Sequence, residues 1–231
     1  MYKLEDIAER IRQNFDVRTA KRDEALKQAR QLTRACSVSI RAVHRDDKEA
    51  METNLAEAHN LADTLRNDLR DFPDLYYAGY TQDALKEFVE ANVTCALIQN
   101  QPLQTPDQLG VEDATYLNGL AEVIGELRRS TLDILRSGYS QEAERLLGHM
   151  DEIYSVLVTI DYPDAITNGL RRQTDLVRGI IEKTRGDVTL SLRNQQLTKA
   201  IRNLSIQLDS DNVESESQDG DGLSIPMNED D

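Results

Sequence analysis

Glu87 and Glu90, three residues apart, and Glu122 and Glu126, four apart, form two carboxylate pairs at helical spacing. Residues at i,i+3 and i,i+4 leave a helix on one side, so each pair presents both carboxylates together. Two such helices face to face would enclose an all-oxygen pocket for a hard divalent cation such as Mg²⁺ or Mn²⁺, with room for water and a phosphate. Acidic residues at this spacing are usually a solvated face. Here the stripe carrying Glu87 and Glu90 continues into Ala91, Thr94, Leu97 and Ile98, which points it inward. Around the second pair, Gly119 and Gly125 weaken the helix and are expected to let another backbone approach. A buried charge needs a partner. Arg129, near the same face, is an alternative to a metal, which leaves a purely structural ion-pair network open.

The elements that would carry these residues read as helix throughout, because apolar residues recur at i, i+3, i+4 and i+7 and no run keeps strand alternation. The expectation is an all-α bundle. Helices are expected from about Leu4 to Arg45, Asp46 to Asp71, Ala84 to Gln99, Asp113 to Ser137, Ser140 to Ile160, and Asn168 to Leu208, the last with a break at Gly186-Asp187 as an option. Phe72-Pro73, the loop holding Pro102 and Pro106, Gly138 and Pro163 supply the interruptions.

At 231 residues the chain is long enough for one sizeable core. No apolar run of membrane length and no leader pattern is visible, so the expected location is the cytoplasm. Cys36 and Cys95 have apolar surroundings and no CxxC spacing, which excludes a zinc site or disulfide framework of that kind. The net charge of −15 is concentrated: residues 209–231 hold nine acidic residues and no Lys or Arg. This segment is expected to be a disordered acidic tail appended to a domain spanning 1–208. In the first helix, Arg30, Arg34, Arg41 and Arg45 return to nearly one azimuth opposite Ala25, Ala29, Leu32, Cys36, Ile40 and Val43. That stripe is either a solvated face or a track for phosphates.

Two motifs are distinctive. Tyr76-Tyr77-Ala78-Gly79 followed by Glu87-Phe88-Val89-Glu90-Ala91 resembles the glutamate-bearing helix of translin-associated factor X. Leu109-Gly110-Val111, then Tyr116-Leu117-Asn118-Gly119-Leu120-Ala121 and Gly125-Glu126-Leu127-Arg128-Arg129, resembles a signature shared by translin and Trax. Weaker echoes are Ser39 to Arg45 and Leu170-Arg171-Arg172. The resemblance covers roughly residues 15 to 190. It implies a fold of about seven helices, a hollow homo-oligomer expected to be an octamer, and a metal-dependent endoribonuclease acting on single-stranded RNA, with single-stranded DNA as an alternative. By position it makes Glu87, Glu90, Glu122 and Glu126 both metal ligands and catalytic residues. Arg30, Arg34, Arg41, Arg45 and Arg129 are then the nucleic-acid contacts. Glu122 departs from the family, which usually has Asp there. Competing readings are a nucleic-acid-binding scaffold without catalysis and an all-α nucleoside triphosphate pyrophosphohydrolase. A ferritin-like di-iron site is excluded, since Arg41, Ala56 and Leu146 stand three residues before His44, His59 and His149, where Glu would be needed.

Because the acidic tail lacks periodicity and aromatic residues, it cannot bury enough apolar surface to offset the entropy of ordering it. Truncation after Leu208 is expected to leave the thermal unfolding midpoint nearly unchanged. A large drop on calorimetry would show that the tail docks on the body.

Overall fold

The computed structural model describes residues 3–218, with side chains as far as 208. Helices account for every regular element among them, and no strand occurs there. Six are long: α1 (Leu4–His44), α2 (Lys48–Asp68), α4 (Gly79–Ile98), α6 (Asp113–Leu135), α7 (Gln141–Leu157) and α9 (Leu170–Gln218). Three are single turns at junctions: α3 (Pro73–Tyr76), α5 (Pro106–Leu109) and α8 (Asp164–Thr167). No helix among the described residues is long and apolar enough to cross a membrane.

Local chemistry accounts for several of the boundaries. Asp46 takes a left-handed φ of 58°, and Asp47 then caps α2 by accepting from the Ala50 N–H, so this helix starts at Lys48. The Thr105 hydroxyl and the Gln108 side chain form a reciprocal capping box on α5. Ser140 caps α7, as its position suggests, by accepting from Glu142 N–H. Gly110 ends α5 at φ 63°, where a Cβ would meet the Arg66 guanidinium at 2.8 Å. Arg66 donates to the carbonyls of both Leu109 and Gly110, which accounts for the Leu-Gly-Val motif.

Three expectations are revised. Helix α4 begins at Gly79, five residues before Ala84, because Thr81 Oγ1 donates to Leu75 O and Gln82 Nε2 to Tyr76 O across the junction with α3. Asn168 does not start the last helix: it and Gly169 take left-handed φ values of 51° and 81°, and α9 begins at Leu170. No break occurs at Gly186-Asp187. The backbone of α9 is described as far as Gln218, and 219–231 of the expected acidic tail lie outside the described residues.

Helix α4 sits in the middle, packed by α1 on one side and α6 on another, while α6 also packs against α7 and α9. Eleven of its residues are buried, among them Leu85, Phe88, Val89, Ala91 and Thr94. The large core side chains Leu32, Leu65, Phe88, Ile124, Leu127 and Met150 come from five of the long helices. Arg145 of α7 donates to Leu97 O, which also accepts from Asn100 N–H, and to Ile98 O, tying α7 to the C-terminal carbonyls of α4.

The contact that sets the α4–α6 distance is Gly119 against Val89. A Cβ built on Gly119 would lie 2.7 Å from Val89 Cβ and 3.1 Å from Lys86 O. Gly125, by contrast, has nothing within 4 Å of such a Cβ, so the expected close approach occurs at Gly119 alone. Gly119→Ala is therefore expected to destabilise by about 1–3 kcal/mol in denaturant melts, with partial recovery in Gly119→Ala/Val89→Ala. Gly125→Ala is expected to be neutral or mildly stabilising.

Candidate functional site

Because α4 and α6 are direct neighbours, Glu87 and Glu90 on one meet Glu122 on the other. Ligand oxygens of these three carboxylates all lie within 4.8 Å of one another. Ala91, Thr94 and Leu97, further along the Glu87/Glu90 stripe, are buried as their spacing predicts. Gly125 and the α9 residues Gln173, Leu176, Val177 and Ile180 complete a cleft of about 390 Å³ around the three glutamates.

Glu126, one turn after Glu122, stands outside that three-residue cluster. Its Oε2 lies 2.5 Å from His44 Nε2 and 3.6 Å from Arg129 Nη1. Lys86, next to Glu87, reaches across to Glu122 Oε1 at 2.8 Å and lies 3.7 Å from Asp83. Sequence reasoning missed both His44 and Lys86. For His44 a signal was present: it follows Ile40 by four residues on the buried face of α1, so its ring had to turn inward.

The carboxylates divide electrostatically. Burial pushes Glu90 up to about 8, with Glu87, Glu122 and Glu126 adding repulsion. Glu87 is raised for the same reasons, burial first and Glu122 second. Glu126 moves the other way, held ionised chiefly by the hydrogen bond from His44. Burial alone would lower Lys86, but its bond to Glu122 and the nearby acids raise it overall. Behind the pair, the Cys36 thiol is pushed up by burial and by Glu87 and Glu90, and it is buried and unbridged like Cys95. Three hard oxygen donors around one point, with a single lysine in contact, suit Mg²⁺ or Mn²⁺.

The basic stripe is exposed. Arg30, Arg34, Arg41 and Arg45 all face solvent, and none makes a side-chain hydrogen bond or ion pair with any described residue. Arg30 also shares a cleft of about 380 Å³ with Glu87, lined by Thr33, Tyr80, Asp83 and Ala84. That cleft joins the start of the stripe to the glutamates. Tyr76 and Tyr80 pack against the core, while Tyr77 is exposed and meets Tyr76 edge to face.

No family profile matches the chain. The crystal structure of AfC3PO is 32% identical to it, with a TM-score of 0.76 over 82% of this chain and 98% of that one. The chain belongs to the translin/C3PO family. A structure of AfC3PO in complex with duplex RNA matches to the same degree. Apo-NeC3PO, at 23% identity and a TM-score of 0.72, covers 80% of this chain and 96% of its own, and speaks for the translin-like fold alone. An uncharacterised protein of Methanocaldococcus jannaschii is 35% identical over 189 residues, 81% of this chain and 83% of the relative. Within this translin-like fold the two motifs fall on α4 and on the α5–α6 segment, where they build the cluster and the close helix contact.

Unfolded, Glu90 ionises near 4.5, and folded only near 8, so across that window the unfolded chain gains by releasing a proton that the folded chain keeps. Thermal stability of the metal-free protein is expected to fall as pH rises from 4.5 to 8. Glu90→Gln should flatten that slope, and millimolar Mn²⁺ should raise the melting temperature more at pH 8 than at pH 5.

Proposed function

We propose that the protein is a metal-dependent endoribonuclease that cleaves single-stranded RNA within a homo-oligomer. The observation that carries this reading is the convergence of Glu87, Glu90 and Glu122 within 4.8 Å, beside a cleft that leads to an unpaired arginine. When bound there, Mg²⁺ or Mn²⁺ supplies an activated water and offsets charge developing on the phosphate. Glu87, Glu90 and Glu122 hold the ion, and Glu126 completes the acidic wall. Glu122 keeps the charge of the family's usual Asp on a side chain one methylene longer. Arg30 takes the phosphate next to the glutamates, and Arg34, Arg41 and Arg45 carry the strand onward along α1. Arg129, half exposed beside Glu126, meets the phosphate from the opposite side.

Support for RNA as the substrate comes from AfC3PO, which a solved structure shows with duplex RNA. An assembly, for which we propose an octamer, is supported by apolar residues that one chain leaves uncovered. Leu4, Ile7, Ile11 and Phe15 on α1, and Leu190, Leu197, Ile201 and Leu204 on α9, are all exposed.

The deciding experiment incubates purified protein with labelled single-stranded RNA, duplex RNA and nucleoside triphosphates, each with Mg²⁺, Mn²⁺ or chelator. Single-stranded RNA is expected to be cut with metal alone present and to survive chelation. Glu90→Gln should lower cleavage by 100-fold or more, on the order expected for loss of a metal-aligned reaction, while RNA binding persists. Arg34→Gln/Arg41→Gln should weaken binding and reduce its salt slope by about 2. Equal cleavage by wild type and Glu90→Gln would remove the assignment. Hydrolysis of nucleoside triphosphates with RNA left intact would replace it with the pyrophosphohydrolase reading.

A further inference from the structure

His44 is the last residue of α1, and its side chain is only 4% exposed. Its Nε2 lies 2.5 Å from Glu126 Oε2, on a helix 82 residues away in sequence. An ionised carboxylate can only accept, so the ring N–H is the donor. Arg129 approaches the same oxygen, Oε2, at 3.6 Å. Both side-chain contacts of Glu126 therefore fall on one oxygen, while Glu126 itself follows Glu122 by one helical turn on the same face of α6. A free glutamate would sample several rotamers around three torsions, and fixing it costs entropy that the buried ring offsets in advance.

We propose that His44 is a positioning residue that occupies Oε2 of Glu126 and thereby turns Oε1 toward a divalent cation held by Glu87, Glu90 and Glu122. The proposal rests on the metal site of the preceding reading and adds a named support to it. Partners that hold a ligand's far atom tune a metal site by restricting its orientation and adjusting its basicity. A surface ion pair without such a role would gain little from burying a histidine at the end of a 41-residue helix. The main chain around His44 is already satisfied by the helix and by Arg45 N–H donating to Ala42 O, so the ring is not needed to end α1.

The test is Mn²⁺ binding to the full chain without RNA, followed by electron paramagnetic resonance of free Mn²⁺. It compares wild type with His44→Ala, His44→Gln, Glu126→Gln and the double variant His44→Ala/Glu126→Gln. His44→Ala is expected to weaken Mn²⁺ binding by about 10- to 100-fold. His44→Gln should restore most of it, because its side-chain N–H₂ can reach the same oxygen. The double variant should bind no more weakly than Glu126→Gln alone, since His44 acts through that carboxylate. Wild-type affinity in His44→Ala would overturn the proposal, as would a double variant whose loss is the product of the two single losses. Should His44→Ala fail to fold, as judged by circular dichroism, the comparison of His44→Gln with Glu126→Gln decides: near-wild-type affinity in the first and weak binding in the second is expected, and equal loss in both overturns the proposal. If wild type binds Mn²⁺ yet leaves RNA intact, the ribonuclease reading falls and the role of His44 stands. If wild type binds no Mn²⁺, both fall.

Discussion

Repulsion among carboxylates is the constraint that the rest of this structure answers. At a separation near 5 Å and an effective dielectric of about 20, each pair of ionised groups opposes folding by about 3 kcal/mol. One lysine brings a single positive charge against three carboxylates. Lys86, in contact with Glu122, therefore cannot balance Glu87, Glu90 and Glu122 together. Burial first, and this repulsion second, appear as protonation: Glu90 holds its proton up to about 8. The fold keeps this unfavourable grouping because α4 is anchored on several sides at once, by Phe88, Val89 and Ala91 in the core and by Arg145 at its C-terminal carbonyls. Gly119 then lets α6 come close enough to face Glu122 toward the α4 pair.

What was legible in the sequence follows from which signals are local. Helical period alone placed Glu87 with Glu90 and Glu122 with Glu126, and buried neighbours pointed the first pair inward. The first pair reads this way because α4 is apolar enough around its circumference that a polar stripe within it stands out, whereas Glu126 of the second pair falls outside the three-glutamate cluster. Less legible were the features that depend on residues distant in the chain. The start of α4 at Gly79 relies on Thr81 and Gln82 bonding back to the preceding turn, and polar residues there read as loop. Asn168 looks like a helix start, since Asn is a common cap, but the structure uses its tolerance of left-handed backbone instead.

His44 and Gly125 illustrate the same limit at the site. Gly119 and Gly125 are indistinguishable by type, and only the position of α4 makes one a contact and leaves the other open. The spacing of His44 from Ile40 predicts an inward ring, yet nothing within α1 reveals that its partner is a carboxylate on α6. Glu126 was grouped with the other three glutamates by its spacing from Glu122 and by the family resemblance. In the structure its charge is already answered by His44 and Arg129, which separates it from the under-neutralised trio.

The arginines make the complementary argument. Arg12, Arg18, Arg22, Arg66, Arg128, Arg145 and Arg178 each pair with an acidic side chain, as expected in a chain of net charge −15 with abundant acids. Arg10, Arg70, Arg172, Arg193 and Arg202 likewise have no partner among the described residues, so what sets Arg30, Arg34, Arg41 and Arg45 apart is their alignment along one exposed face. These four line one face of α1, where Arg30 shares a cleft with Asp83 and Glu87, and the same helix ends at His44 beside Glu126. An anionic polymer lying along this face would be drawn by the arginines and repelled by the glutamates until a divalent cation reverses the local sign. On the proposed function, attraction along α1 and cation-dependent acceptance at the glutamates of α4 and α6 would couple the binding of a strand to occupation of the metal site.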